Sequence, residues 1–84
     1  MSHIKIHEVI AAKPLRGYVV EFVFDDLRRA RINLQKYLGK GLFRELLDKN
    51  KFRRFKVDAE LGTICWPNGA DIAPETLYEE SLQK

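Results

Sequence analysis

His3 and His7 are the first residues of this 84-residue chain whose type and spacing suggest metal chemistry. Four apart on a helix, two imidazoles could share one ion; on the strand predicted for this segment they stand about 13 Å apart. No cysteine or acidic cluster completes a zinc set around them, so the reading is no metal and no cofactor. Gly39-Lys40-Gly41 raises phosphate binding, but a Walker loop needs a longer glycine-rich stretch and a Ser or Thr after its Lys. Here Leu42 follows Gly41, and the two glycines read as room for a tight entry into a helix. Asp25, Asp26 and Asp71 offer carboxylates for acid–base work or for magnesium beside a phosphate. Asp is also a leading turn residue because its side chain accepts from nearby backbone N–H groups, and that is the reading for all three. Cys65, the lone cysteine, lies between Ile64 and Trp66 and reads as a small core hydrophobe. No nucleophile–base–orienter set is visible, so no catalytic residue is assigned and an enzyme is not expected.

The remaining chemistry is basic. Arg28, Arg29 and Arg31 form one group; Lys49, Lys51, Arg53, Arg54 and Lys56 form another around Phe52. On neighbouring strands the two would make a stripe with Phe52 as a stacking side chain, which suits single-stranded nucleic acid. The competing reading is solvated outer faces and edges, where Lys and Arg block sheet-to-sheet association. The formal charge of +3 is well short of a dedicated nucleic-acid binder.

These side chains are positioned by short elements. Ile4, Ile6 and Ile10 share one parity and predict a first strand from about Ile4 to Ala12. After Lys13-Pro14-Leu15-Arg16-Gly17 comes Tyr18–Phe24, with Tyr18, Val20, Phe22 and Phe24 on one face and Val19 and Val23 on the other. Such two-sided hydrophobicity predicts a central strand, or a face covered by a partner or by a second copy. A turn at Asp25-Asp26-Leu27 leads to Arg28–Leu34, with Ala30, Ile32 and Leu34 inward and Arg29, Arg31 and Asn33 outward. A short turn at Leu34–Leu38 precedes a helix over Leu42–Lys49, whose Phe43, Leu46 and Leu47 form a buried stripe. Arg44 with Asp48 and Glu45 with Lys49 are its expected ion pairs.

Phe52–Asp58 is read as a fourth strand and Thr63–Trp66 as a fifth. The segment Cys65-Trp66-Pro67-Asn68-Gly69-Ala70-Asp71-Ile72-Ala73-Pro74 then holds the only Trp and two of the three Pro. Pro67 and Gly69 suit a turn, and Pro74 suits the first turn of a last helix docked by Leu77, Tyr78 and Leu82. The order β-β-β-α-β-β-α without βαβ crossovers predicts an α+β domain over residues 1–84. A largely antiparallel sheet of about five strands carries a central helix on one face and a short C-terminal helix. Trp66, Phe22, Phe24, Phe43, Leu46, Phe55 and Ile64 are its expected core. With 45% apolar and 32% charged residues the composition is globular, and no apolar run approaches the ~20 residues that span a bilayer. The first residues show no signal-peptide pattern, which predicts a cytoplasmic location with no membrane partner.

Several segments in order resemble the bacterial family called domain of unknown function 2442. They are the strand ending Phe24-Asp25-Asp26, the Leu34-Gln35-Lys36-Tyr37-Leu38 turn, Gly41-Leu42-Phe43-Arg44-Glu45-Leu46, and Phe52 into Val57-Asp58. The run from Gly62 to Glu75 follows, with Leu77-Tyr78 behind it; Trp66, Pro67, Asn68, Gly69 and Asp71 are its most specific residues, read as structural. Two positions depart: Leu27 stands where the family tends to have Gly, and Asn33 where it favours Asp. The resemblance implies a small α+β domain without assigned catalysis, in a family whose members are often encoded beside a second small protein. It points to an accessory, antitoxin-like module binding a neighbour-encoded protein, since a chain ending at Lys84 leaves no room for an appended DNA-binding domain. The alternative is weak nucleic-acid binding through Arg28, Arg29 and Arg31 with Lys51, Arg53, Arg54 and Lys56.

Overall fold

A computed structural model describes residues 7–83. Three strands, β1 (Val9–Pro14), β2 (Val19–Phe24) and β3 (Arg29–Asn33), form an antiparallel meander in the order β1-β2-β3. The expected start of the first strand at Ile4 lies outside the described residues, as do Ile6 and His3. Register pairs Phe22 with Ala12 on one side and Ala30 on the other, and Val20 with Pro14 and Ile32. Because side chains alternate across a strand, these residues share one face and bury it: Val20, Phe22 and Phe24 are fully enclosed.

The fourth and fifth strands do not extend this sheet. β4 (Lys56–Asp58) and β5 (Thr63–Cys65) make a separate two-stranded antiparallel ladder. It lies against β1 and is tied to it where Val9 N–H donates to the Gly62 carbonyl at 2.9 Å. The five antiparallel strands and the helices are those of an α+β fold. β4 is shorter than the expected Phe52–Asp58 because Phe52 belongs to a helical turn, α1 (Lys49–Phe52).

The middle of the chain differs most from the sequence pattern. Asn33 caps a 3₁₀ turn at Leu34–Tyr37, its Oδ1 accepting from Gln35 N–H at 3.0 Å, so an amide fills a position that needs only an acceptor. The helix expected at Leu42–Lys49 is instead a 3₁₀ segment, Gly41–Leu47, followed by α1. Asp48 interrupts it in an extended conformation, its carboxylate accepting from Asn50 N–H at 2.9 Å. With three residues per turn, Phe43 and Leu46 share a face while Leu47 rotates off it. Leu46 is buried and Leu47 is 45% exposed. The same break redirects the expected ion pairs: Asp48 caps α1, and Glu45 meets Lys51 and Asn68.

α2 (Pro74–Leu82) begins with Pro74 in its first turn and packs along β3. Leu77 is enclosed, Tyr78 partly so, and Leu82 faces solvent. Asp71 does not cap α2; the cap residue is Ala73, without a side-chain bond, and Asp71 instead bridges Cys65 on the turn's return limb. A single core gathers Val20, Phe22, Phe24, Phe52, Ile64, Trp66 and Leu77. Phe43 and Phe55 pack at its edge. Among the described residues no helix is long and apolar enough to cross a membrane.

Candidate functional site

Trp66 anchors one candidate surface. Its indole N–H donates to the Phe52 carbonyl at 2.8 Å, and the rings of Phe43, Phe52 and Phe55 stand 5.9–6.1 Å from it. The chain turns back at once: Gly69 N–H donates to the Trp66 carbonyl and Trp66 N–H to the Ala70 carbonyl, both at 2.9 Å. Gly69 takes φ 93°, a left-handed conformation that favours glycine. Asn68 ties the turn to the 3₁₀ segment, its Nδ2 donating to the Leu42 carbonyl at 2.8 Å and to Glu45 Oε2 at 3.0 Å. Its Oδ1 accepts from Ala70 N–H at 3.0 Å.

Two hollows flank the Trp66-Pro67 ridge. One, of about 280 Å³, is bordered by Glu45, Lys51, Arg54 and Asn68; the other, of about 230 Å³, by Lys56 and Cys65. Three members of the second basic group, Lys51, Arg54 and Lys56, therefore share a surface with Trp66, Pro67 and Asn68, a convergence the sequence reading did not anticipate. Glu45 is the one carboxylate there, and the Asn68 amide, ahead of Lys51, holds its pKa below the usual value. Among the described residues neither Arg54 nor Lys56 has an acidic partner within ion-pair distance. Arg53 turns away, its Nη1 donating to the Leu15 carbonyl at 3.1 Å.

The outer face of the three-stranded sheet is a second surface. Register places Lys13, Glu21 and Arg31 in one row across it, and Ala11, Val23 and Arg29 in another. Val19 and Val23 are half-buried on its central strand, one on either side of Glu21. A bulge between Val9 and Ala11 breaks the pairing at Ile10, which is 52% exposed. Arg31 reaches Glu21 at 3.7 Å, while Arg29 and Lys13 have no acidic partner among the described residues. Arg28 is not part of this face: it lies 5.9 Å over the Tyr78 ring, and its Nη1 donates to the Ser81 carbonyl at 3.4 Å. The single basic stripe does not form, because β3 and β4 lie in different sheets. Phe52 is fully buried and has no ring face to offer a base.

A third cluster was invisible in the sequence. His7 Nδ1 lies 2.9 Å from Asp25 Oδ1, the His7 and Tyr78 rings stack at 4.3 Å, and Tyr78 O–H donates to Asp26 Oδ2 at 2.5 Å. Asp26 Oδ1 also accepts from Arg28 N–H at 3.0 Å. The Tyr78 hydroxyl, followed by that backbone N–H, depresses the Asp26 pKa, and the Asp26 carboxylate raises that of Tyr78. His7, Asp25 and Asp26 place three potential ligand atoms within 4.8 Å of one another, but hydrogen bonds already employ these groups in locking the β2–β3 turn to α2. Fifty-two residues separate Asp26 from Tyr78, so no local pattern announces their meeting. The same holds for Tyr37, which donates to Glu80 Oε2 at 2.7 Å while Lys36 pairs with the same carboxylate. Burial, then the bond to Glu80, pushes the Tyr37 pKa up to about 12.

Compared with known families, residues 9–83 match the one described as protein of unknown function DUF2442. No curated protein and no solved structure matches the chain.

Proposed function

This chain belongs to the DUF2442 family, and from that premise we propose that it is a non-enzymatic module that binds another protein through the outer face of its three-stranded sheet. The observation that carries the reading is the pair Val19 and Val23, half-buried on the central strand and flanked by Arg29, Arg31 and Lys13. An antiparallel sheet with one packed face normally clothes the other in polar residues. Here two valines stand on the central strand on either side of Glu21, with Lys13, Arg29 and Arg31 on the flanking strands.

The occupant is a partner with an acidic-rimmed apolar surface, in keeping with an accessory, antitoxin-like member of a cytoplasmic two-protein pair. A second copy fits poorly, because a two-fold contact sets the same patch against itself and opposes like charges. Glu21, the acid on this face, is already engaged by Arg31. Nucleic-acid binding through both basic groups is the weaker reading, with β3 and β4 in separate sheets and Phe52 buried.

The test is capture by the tagged chain from nuclease-treated lysate of the source organism, alongside the Arg29→Glu/Arg31→Glu variant. One small protein captured by the wild type and lost from the folded variant is the expected result. Equal capture by both chains, or recovery of nucleic acid alone when nuclease is omitted, overturns the reading.

A further inference from the structure

We propose that the groove across Trp66-Pro67 is a seat for a short acidic peptide segment carrying one apolar side chain. The inference does not depend on the sheet-face reading, since its residues lie on the 3₁₀ segment, α1 and the turn after it, β4, β5 and the Trp66–Ala70 turn. Three observations converge on this ligand.

The first is charge. Lys51, Arg54 and Lys56 border the two hollows against one carboxylate, Glu45, which already meets Lys51 at 3.6 Å and Asn68 at 3.0 Å. Arg54 and Lys56 thus remain for an incoming anion, and a guanidinium grips a carboxylate with paired N–H donors. The second is shape. At about 280 and 230 Å³, each hollow falls below the usual range for a pocket enclosing a drug-sized molecule. Joined over a ridge they suit an extended segment that lays one side chain on each side. The exposed Pro67 ring is the apolar step between them.

The third is rigidity. Trp66 is only 2% exposed, held by its bond to Phe52 and by three aromatic neighbours, and Asn68 fixes the turn through three hydrogen bonds. A preformed groove loses little entropy when it is filled. A base finds no exposed ring here on which to stack, since Trp66 and Phe52 are both buried, so the charge is matched to carboxylates spaced along a peptide.

Trp66 is the only tryptophan, so its emission reports on the groove directly. The experiment titrates the full chain with acetyl-Asp-Glu-Leu-Asp-Glu-amide, with the Asn/Gln analogue of that peptide, and with inorganic phosphate. The expected result is a saturable change with the acidic peptide alone. Affinity should fall about tenfold in Arg54→Gln/Lys56→Gln, two exposed charges each worth a few-fold, and stay unchanged in Arg29→Gln/Arg31→Gln. Amide shift mapping on the unaltered chain should place the largest changes at Lys51, Arg54 and Asn68. The proposal is overturned if the acidic peptide causes no saturable change, or if the neutral analogue or phosphate reproduces it. It is equally overturned if the groove variant binds as well as wild type, or if the shifts map to the sheet face. None of these failures touches the capture test of the sheet face, and loss of capture in Arg29→Glu/Arg31→Glu leaves the groove intact.

Discussion

Two turns of this molecule reach similar geometry by opposite routes. At Trp66–Ala70 local preferences agree: Pro67 presets its own φ, Asn68 Oδ1 accepts from the N–H two residues on, and Gly69 occupies the left-handed position. At Asp25–Arg28 one residue disagrees. Asp26 accepts from the N–H two residues on in the same manner, but Leu27 is forced to φ 71° with its side chain 74% exposed. A side chain in that conformation costs about 1–2 kcal/mol. Both turns close on their own backbone, Leu27 N–H donating to the Phe24 carbonyl at 2.8 Å, but the second is also held from outside: Asp26 is gripped by Tyr78, and Asp25 lies against His7. A turn whose residues agree with its shape organises its surroundings, whereas one with a conflicting residue depends on them.

The sharpest way to break this contrast is to remove the centre of the agreeing region. Trp66→Ala deletes an indole packed against Phe43, Phe52 and Phe55 and leaves the Phe52 carbonyl without its buried donor. Truncations of this kind cost about 3–5 kcal/mol, comparable to the whole stability of a small domain. Urea denaturation should find the variant largely unfolded before denaturant is added. A variant with an unchanged midpoint would show that the tryptophan is not the keystone of that side.

Relieving the conflict in the other turn should have a smaller effect of opposite sign. Leu27→Gly removes the left-handed penalty but frees the unfolded chain, so the net gain is about 0.5–1 kcal/mol. The urea midpoint should rise with no change of slope. A fall would mean that the exposed leucine contributes a contact that outweighs its strain.

The two turns also show what was legible in the sequence. Alternation in Tyr18–Phe24 and Arg28–Leu34 gave the meander and its inward face because strand period is local and one face is buried. The Trp66–Pro74 punctuation marked a turn and a helix start for the same reason. Where the reading went astray, tertiary structure decided. Gly41 and Asp48 turn an expected helix into a 3₁₀ segment and a single α-turn, which carries Phe52 from a strand into the core. Whether β4 joins the first sheet depends on packing rather than on its own residues. The groove is not legible in the sequence because Lys51 and Arg54 follow one another on α1 and the turn after it, while their meeting with Asn68 crosses to the Trp66 turn. Leu27 is the instructive case. Its place in a turn was legible from Asp25-Asp26-Leu27, and its positive φ is visible only in three dimensions.

The smallest effect tests how the strained turn is held. Asp26 has its pKa depressed chiefly by the Tyr78 hydroxyl and next by the Arg28 N–H. A carboxyl whose folded pKa is lowered adds stability that is present above its unfolded value, near 3.8, and is lost as pH falls through the folded value. Tyr78→Phe keeps the ring against Phe24 and His7 but removes the main cause of that shift. The Asp26 titration, followed by its side-chain carbonyl resonance, should move upward toward 3.8 in the variant. Its melting temperature should then fall less steeply than that of wild type as pH is lowered below about 4. Around neutral pH the variant should already be the less stable of the two, since Asp26 has lost a charge-assisted partner at every pH where it is ionised. Parallel acid limbs for the two proteins would assign the turn's cohesion to the ring contacts and the Arg28 N–H. In that case the hydroxyl–carboxylate bond is not what holds Leu27 in its strained conformation.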